Sequence, residues 1–138
     1  MPHLILSYSL LAALLLLGAC ANTRNPTADS PALPGSAWAL VAMPGELPEQ
    51  AAISLAFDEK GLSGRGVCNR YFAGCEIAGN QLTVQPIGAT RMMCPAHAEV
   101  EQRYFDLLGK AEKYAIKKDQ LSIYTSEGEL VFSRTEEE

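Results

Sequence analysis

Four side chains in the middle of the sequence have types and spacings that could support chemistry. They are Cys68, Cys75, Cys94 and His97. Thiolate and imidazole groups are preferred ligands of zinc and copper(I), so one hypothesis is a metal site with three cysteines and one histidine. The spacing matches no compact metal-binding motif, and a core histidine bonded to the backbone would explain His97 equally well. The metal site is therefore the less favoured hypothesis, and disulfide formation is the more favoured one.

Catalytic motifs are the second possibility, and the sequence contains none that defines an enzyme class. It has no Gly-x-Ser-x-Gly, no phosphate-binding glycine loop and no histidine pair at metalloprotease spacing. Cys94 with His97 could form a nucleophilic pair, but disulfide formation would compete for the thiol. We therefore expect no enzymatic activity and no cofactor.

Two polar segments, each with one cysteine, predict a binding site instead. The candidates are Asn69 and Arg70 in residues 64–72, and Thr90 and Arg91 in residues 90–94. The two arginines could bind a carboxylate, or each could pair with an acid of this chain such as Glu76 or Glu99. The asparagine and the threonine could equally be turn and capping residues, because both side chains bond to nearby backbone. We expect the two segments to meet in one site.

The N-terminal residues predict a lipoprotein signal peptide. Residues 4–17 form an uncharged and largely apolar run, too short for a stable membrane span, that leads to Leu17-Gly18-Ala19-Cys20. That quartet resembles the bacterial lipobox, in which the cysteine receives a diacylglycerol and becomes the first residue after cleavage. An ordinary signal peptide with a chance cysteine is the alternative. We expect residues 1–19 to be removed and Cys20 to be lipidated.

Lipidation would attach the protein to the bacterial cell envelope. Each buried acyl methylene contributes about 0.8 kcal/mol, so two or more chains anchor a protein without a membrane span. Ala21 stands where an aspartate often retains a lipoprotein at the inner membrane, so we expect the outer membrane, with the protein facing the periplasm. Residues 20–35, rich in Asn, Thr, Pro, Ala and Ser, predict a flexible tether.

The length and charge of the chain after the predicted signal peptide indicate one small domain and restrict its partners. The chain has 138 residues and a net charge of −5, and a mature part of ordinary single-domain size remains. Scattered basic residues in an acidic chain argue against nucleic-acid binding. We expect a monomer whose partners are the membrane, through the anchor, and an envelope protein or a small ligand.

The elements that must position the site are short strands and one helix. Apolar residues alternate with a period of two, from Ile53, Leu55 and Phe57 to Leu130 and Phe132. One segment instead has helical periodicity, with apolar residues at Val100, Tyr104, Leu107 and Leu108. The result is an α+β fold with a mainly antiparallel, strongly curled or barrel-like sheet and one α-helix.

The ends of that helix have recognisable signals. Pro95 suits the first helical position and Gly109 suits the C-cap. Glu99 and Glu101 lie near the N-terminal end, where negative charge is favourable for the helix dipole. We therefore expect the helix to begin at residue 95 and to end at residue 109.

The pattern as a whole resembles the META/HslJ-type domain family of bacterial envelope lipoproteins. The matching segments are Trp38-Ala39-Leu40, Cys68-Asn69-Arg70-Tyr71, Leu82-Thr83-Val84, Thr90-Arg91-Met92-Met93-Cys94, the following helix with Glu99 or Glu101, and Leu121-Ser122-Ile123 with Leu130-Val131-Phe132. The resemblance covers residues 36–134 and leaves residues 135–138 as an acidic tail. Val67 departs from the pattern, since a glycine is usual there, and Cys75 is additional to it. The resemblance implies a non-enzymatic protein associated with heat or antibiotic stress.

Disulfide formation is expected because a secreted protein meets an oxidising environment. Cys68 and Cys75 lie seven residues apart, so on one regular strand they would face opposite sides and would not pair. Cys94 could then pair with either of them, and the resemblance favours the Cys68–Cys94 pair. Closing that loop would contribute on the order of 3 kcal/mol.

The expected function is therefore that of an envelope lipoprotein that binds a partner or ligand, or supports the envelope under stress. An inhibitor of a secreted or periplasmic enzyme is the alternative. A zinc-handling or copper-handling lipoprotein is less favoured, because it depends on the metal hypothesis.

Overall fold

The computed structural model describes residues 32–136. The predicted signal peptide, the predicted lipidation site Cys20, most of the predicted tether and the last two residues of the acidic tail lie outside this range. In the part of the chain that is described, no helix is long and apolar enough to cross a membrane.

Antiparallel strands make up most of this range, and one helix interrupts them. In chain order the elements are β1 (Ser36–Ala42), β2 (Ser54–Phe57), β3 (Leu62–Arg65), β4 (Arg70–Ala73), β5 (Cys75–Ala78), β6 (Gln81–Val84), β7 (Gly88–Ala89), α1 (Ala98–Leu108), β8 (Ala111–Lys117), β9 (Gln120–Thr125) and β10 (Gly128–Arg134). Every pair of neighbouring strands is antiparallel. The predicted α+β class is confirmed.

The strands form one strongly curled sheet in the order β5-β6-β8-β9-β10-β1-β2-β3-β4-β7. β4 and β5 are far apart in this order, yet Gly74 alone joins them in the chain. β6 and β7 are likewise separated only by residues 85–87. Because these connections are so short, the two ends of the sheet must lie close together. The predicted curled, barrel-like sheet is confirmed.

The helix packs its apolar face into this curled sheet. The four residues of the predicted apolar face are all buried. The helix begins later than predicted, with His97 as its N-cap, because the backbone N–H of His97 bonds to the carbonyl oxygen of Cys94 at 3.2 Å and closes a separate turn. Pro95 therefore lies in that turn and not at the first helical position. Gly109 is the C-cap, as predicted.

The core begins before β1, inside the predicted tether. Leu33 is fully buried, and the backbone N–H of Gly35 donates to the carbonyl oxygen of Phe57 at 2.8 Å. The buried Trp38 indole N–H donates to Ser36 Oγ at 2.7 Å. Burying one leucine side chain contributes about 1.5–3 kcal/mol. The folded part therefore includes Leu33, three residues before the predicted boundary.

Candidate functional site

A disulfide joins the β3–β4 turn to the segment between β7 and α1. It links Cys68 with Cys94, whose Cα atoms are 6.2 Å apart, a usual separation for a disulfide. This confirms the predicted pair and leaves Cys75 as a free thiol. Burial raises the pKa of the Cys75 thiol, and the charge of Asp58 adds to the increase. A thiol with a raised pKa is a poor nucleophile.

The metal site with Cys68, Cys75, Cys94 and His97 is not assembled. Two of its four ligands are bonded to each other, so neither sulfur is available as a thiolate. His97 is the N-cap of α1 and makes no side-chain capping bond. Across residues 32–136, no group of three or more His, Cys, Asp or Glu side chains is arranged to hold a metal ion. The metal hypothesis therefore does not hold for the disulfide-bonded protein.

Glu101 on α1 reaches into the β3–β4 turn and binds it at three points. Its Oε2 accepts hydrogen bonds from the backbone N–H groups of Cys68 at 2.7 Å and Asn69 at 2.8 Å. Its Oε1 accepts a hydrogen bond from Asn69 Nδ2 at 2.6 Å. Glu101 is only 7% exposed, so the carboxylate depends on these donors in place of water. These bonds fix the helix to the turn.

The close approach of this carboxylate requires a glycine at position 66. A Cβ on Gly66 would lie 2.5 Å from Glu101 Oε2, which is too close for two atoms that are not bonded. The neighbouring Val67, where the family usually has glycine, needs no such freedom. Among the residues described, Lys118 is the only one besides glycine with a positive φ. The substitution by valine at position 67 is therefore compatible with the turn.

Asn69 connects Glu101 to the second polar segment. Its Oδ1 accepts hydrogen bonds from Thr90 Oγ1 at 3.0 Å and from the backbone N–H of Met92 at 2.6 Å. Thr90 Oγ1 in turn accepts a hydrogen bond from the backbone N–H of Arg70 at 3.1 Å. We call this set of bonds the Glu101–Asn69 network. It brings the two predicted segments together, and it uses the Asn69 and Thr90 side chains for structure.

The Glu101–Asn69 network determines the charge of the carboxyl group. Burial raises the pKa of Glu101, but the hydrogen bonds from Asn69 and Cys68 outweigh that effect, and the net result is a lowered pKa. Glu101 therefore stays ionised at neutral pH. Because the ionised form accepts all three bonds, the network is stable at neutral pH and weakens as the carboxylate becomes protonated.

Two buried tyrosines support the site from the core. The hydroxyl oxygens of Tyr71 on β4 and Tyr104 on α1 are 2.6 Å apart, and the Tyr71 hydroxyl donates to the carbonyl oxygen of Ser54 at 2.7 Å. Since a phenol has one proton, Tyr104 must be the donor to Tyr71. The two rings pack edge to face, with centroids 5.6 Å apart. Burial is the main cause of a raised pKa at both hydroxyl groups.

Next to the disulfide lies a small cleft with two arginines. Arg65 and Arg70 are directly opposite each other across β3 and β4, and both are exposed. The cleft has a volume of about 260 Å³ and is lined by Arg65, Cys68, Arg70, Thr90 and Met92. We call it the arginine cleft. It contains no acidic side chain.

Arg91, the other predicted binding residue, is also exposed but does not line the arginine cleft. The expected pairing of Arg70 or Arg91 with Glu76 or Glu99 is not observed. The ion pairs within residues 32–136 are Lys110 with Glu127 and Arg134 with Asp119. Arg65, Arg70 and Arg91 are thus exposed guanidinium groups without an acidic partner in the described part of the chain.

A larger groove separates β7 from α1. It has a volume of about 980 Å³. One wall is formed by Ile87, Gly88, Ala89, Thr90 and Arg91, and the opposite wall by Glu101, Gln102, Phe105, Asp106, Gly109 and Lys110. We call it the α1–β7 groove. It meets the arginine cleft at Thr90, which lines both.

Sequence reasoning missed Glu101 and Arg65. The sequence places Glu101 near the helix N-terminus and in a helix that matches the family, but neither observation assigns it to the site. Glu101 precedes Tyr104 by three and Leu108 by seven residues and so lies on the apolar face. An acid on an apolar face must find donors, and the nearby Asn69 supplies them. Arg65 could have been found as the hairpin partner of Arg70.

Comparison with known proteins identifies the family. The chain shares its fold with an NMR structure of a protein from Burkholderia xenovorans, at 23% identity over 76% of this chain and 85% of that chain, with a TM-score of 0.65. A second protein with an NMR structure is 24% identical over 73% of this chain and 90% of that chain, with a TM-score of 0.59. Among curated proteins, none matches this sequence. The model of the META domain matches residues 31–137, in agreement with the resemblance seen in the sequence, and the chain belongs to the META domain family.

Proposed function

We propose that this protein is a lipid-anchored envelope protein that binds an acidic protein partner through Arg65, Arg70 and Arg91. The observation that supports the proposal is that these three exposed arginines have no ion pair within residues 32–136. Arg65 and Arg70 line the arginine cleft beside Cys68, and Arg91 precedes Cys94 by three residues and lines the adjoining α1–β7 groove. In a chain whose net charge is −5, exposed arginines without ion pairs are suited to a partner that supplies the acids.

The electrostatics of the arginine cleft favour such a partner. Like charges directly opposite each other in a sheet destabilise the strand pair, and Arg65 faces Arg70 in this way. A carboxylate between them would remove the repulsion and could accept two parallel N–H bonds from a guanidinium group. The binding of an acidic partner would therefore stabilise the hairpin that carries both arginines.

The frame that holds these arginines is rigid, which favours binding. The disulfide and the Glu101–Asn69 network both join the β3–β4 turn to the segment after β7. Arg70 is also fixed through its backbone N–H, which bonds to Thr90 Oγ1. A preorganised site loses less conformational entropy on binding than a flexible one. The polar residues Asn69 and Thr90 thus position the arginines, and the arginines bind the partner.

The cellular setting of the proposal comes from the sequence. A signal peptide over residues 1–19 and lipidation of Cys20 would hold the domain at the outer membrane, facing the periplasm. Members of the META domain family are generally not enzymes, which agrees with a binding role under envelope stress. Metabolic labelling with palmitate checks the anchor: wild-type protein should incorporate the label and Cys20→Ser should not. Equal labelling of both would refute lipidation at Cys20.

Charge reversal tests the binding site. Immobilised wild-type protein should retain one acidic envelope protein in stoichiometric amount. Arg70→Glu should retain about tenfold less of that protein, because one guanidinium–carboxylate pair becomes repulsive. Lys117→Glu is the matched control, since Lys117 is an exposed residue of β8 that lines neither the arginine cleft nor the α1–β7 groove. Equal retention by both variants would contradict the proposal, provided that both melt at the wild-type temperature.

A further inference from the structure

Exposed apolar side chains lie beside the arginines of the arginine cleft. Phe72 is 68% exposed, Met92 58% and Met93 90%. Single exposed apolar residues are common on protein surfaces, but groups of them mark interaction sites. Met92 lines the cleft, and Met93 follows it in the chain. Phe72 lies two residues after Arg70 on β4, and both are exposed, so their side chains share the outer face of the sheet.

The backbone that carries these apolar side chains is held in place. The backbone N–H of Met92 donates to Asn69 Oδ1 at 2.6 Å, and the disulfide at Cys94 fixes the same segment two residues later. The Phe72 ring lies across Gly88, where a Cβ would come within 2.8 Å of the ring. A preorganised surface loses less conformational entropy on binding than a flexible one. The fold thus presents these apolar side chains to solvent in fixed positions.

The arginine cleft itself suits an apolar group with an acid beside it. The Thr90 hydroxyl already donates to Asn69 Oδ1 and accepts a bond from the backbone N–H of Arg70. The backbone N–H of Cys68 is bonded to Glu101, whose carboxylate does not line the cleft. The two guanidinium groups are the charged groups of the lining. Charge complementarity therefore favours an acid at the arginines, next to an apolar group in the cleft.

We propose that this surface binds a segment of the acidic partner in which an aromatic residue adjoins an acid. The surface, which we call the apolar–arginine face, consists of Arg65, Arg70, Phe72, Met92 and Met93. Arginine, methionine and aromatic residues are the types enriched in protein interfaces. An aromatic ring interacts favourably with all three, through the guanidinium group, the methionine sulfur and a second ring.

The size of the arginine cleft agrees with a single side chain as its occupant. Its volume of about 260 Å³ is below the range for small-molecule sites, about 300–1,000 Å³. The aromatic side chain would enter the cleft against Met92, and the neighbouring carboxylate would pair with Arg65 or Arg70. This inference rests on the proposed function and specifies the sequence that the partner presents.

Two peptides of equal charge test the aromatic residue. One has a tryptophan between two glutamates, the other has alanine in place of the tryptophan, and both have blocked ends. The tryptophan peptide should bind at least about tenfold more tightly, because a few buried aromatic anchors supply much of the binding energy of an interface. In protein labelled with ¹³C at the methionine methyl groups, this peptide should shift the signals of Met92 and Met93. Met43, which is 8% exposed, is the internal control.

A double variant tests the methionines without removing an arginine. Met92→Gln combined with Met93→Gln keeps two unbranched side chains but makes their ends polar, so it should bind both peptides as weakly as the wild-type protein binds the alanine peptide. Val41→Gln is the matched control, because Val41 is also exposed but lines neither the arginine cleft nor the α1–β7 groove. It should keep the tenfold preference for the tryptophan peptide.

The outcomes separate this inference from the proposed function. Equal affinities for the two peptides, or an unchanged preference in the double variant, would overturn the aromatic occupant. If Arg70→Glu then abolished the binding of both peptides, the acidic partner would still stand. Binding that is indifferent to Arg70→Glu, or binding of neither peptide, would count against the proposed function and this inference together.

A membrane is the other surface that basic and apolar residues could contact. The Cys20→Ser protein, which cannot carry the proposed anchor, should therefore be mixed with phosphatidylglycerol vesicles. We expect the methionine double variant to leave any vesicle binding unchanged. Vesicle binding that is lost in the double variant, by a protein that binds neither peptide, would assign the face to the membrane and overturn the proposal.

Discussion

Replacing Glu101 by glutamine tests whether one buried carboxylate joins the helix to the β3–β4 turn. The amide oxygen of the introduced glutamine could still accept the two backbone N–H groups, but its NH₂ group would then face Asn69 Nδ2, and both are donors. Asn69 has no free alternative, since its Oδ1 already accepts bonds from Thr90 and Met92. The variant therefore loses one charge-assisted bond and weakens two others.

These losses add up to a large share of the stability of a small domain. A hydrogen bond to a charged group contributes about 1.5–3 kcal/mol and a neutral one about 0.5–1.5 kcal/mol, so we expect Glu101→Gln to cost about 2–4 kcal/mol. At about 4–8 °C per kcal/mol for a domain of this size, the melting temperature should fall by roughly 10–30 °C. Differential scanning calorimetry at neutral pH measures both quantities.

Glu99→Gln is the matched control for this experiment. Glu99 lies two residues earlier on the same helix, is exposed and loses the same charge. It should cost less than about 1 kcal/mol, the size of a helix-dipole contribution. If Glu101→Gln melted at the same temperature as Glu99→Gln, the reasoning that the Glu101 carboxylate joins the helix to the β3–β4 turn would be refuted.

The stability difference between the wild-type protein and Glu101→Gln should depend on pH. The pKa of Glu101 is lowered in the folded protein, so the unfolded chain takes up the proton first as the pH falls below about 4.3, its ordinary value. The stabilisation is complete above that pH and is lost as the pH falls through the folded-state pKa. The stability difference between wild type and Glu101→Gln should therefore shrink on acidification, and a constant difference would contradict the account.

Three further substitutions test neighbouring parts of the site. Cys68→Ser should lower the free energy of unfolding by about 3 kcal/mol, since the disulfide closes a loop between residues 26 apart. Cys75→Ser should have little effect. Equal chemical denaturation midpoints for these two variants would argue against the disulfide. Gly66→Ala should destabilise through displacement of Glu101, so its effect should be much smaller in a Glu101→Ala background, which removes the clashing atoms. Full additivity of the two substitutions in a double-mutant cycle would exclude that mechanism. Tyr104 keeps its proton in the folded protein because burial raises its pKa, so the free energy of unfolding should fall as the pH rises above about 10, where the unfolded chain loses that proton. Denaturant titrations of Tyr104→Phe should show a weaker fall over the same pH range. An identical fall in both proteins would contradict this assignment.

Much of the fold followed from the sequence because the relevant signals are local. The period-two pattern around Ile53, Leu55 and Phe57 predicts a strand, and β2 extends over Ser54–Phe57. The apolar face of α1 was likewise readable from spacing. The start of the helix was not, because the turn at residues 94–97 depends on Cys94 being held by a distant cysteine.

The sequence predicted that the two segments meet, but not which of their polar residues bond within the protein and which stay exposed. The two cysteine-containing segments predicted one site, and the disulfide is at its centre. Which polar residues are used internally depends on Glu101, a residue 32 positions after Asn69 in the sequence. No local pattern reveals such a bond.

The most direct test of the central claim is to observe the arginine side chains themselves. In uniformly ¹⁵N-labelled protein, titration with hexaglutamate should shift the Nε–H signals of Arg65, Arg70 and Arg91, and added salt should reverse the shifts. Arg103, which donates to the Glu46 carbonyl oxygen, and Arg134, which stacks on Trp38, are internal controls. Shifts confined to the first three arginines are the result that the account predicts. Equal shifts at all five, or none at Arg70, would contradict it.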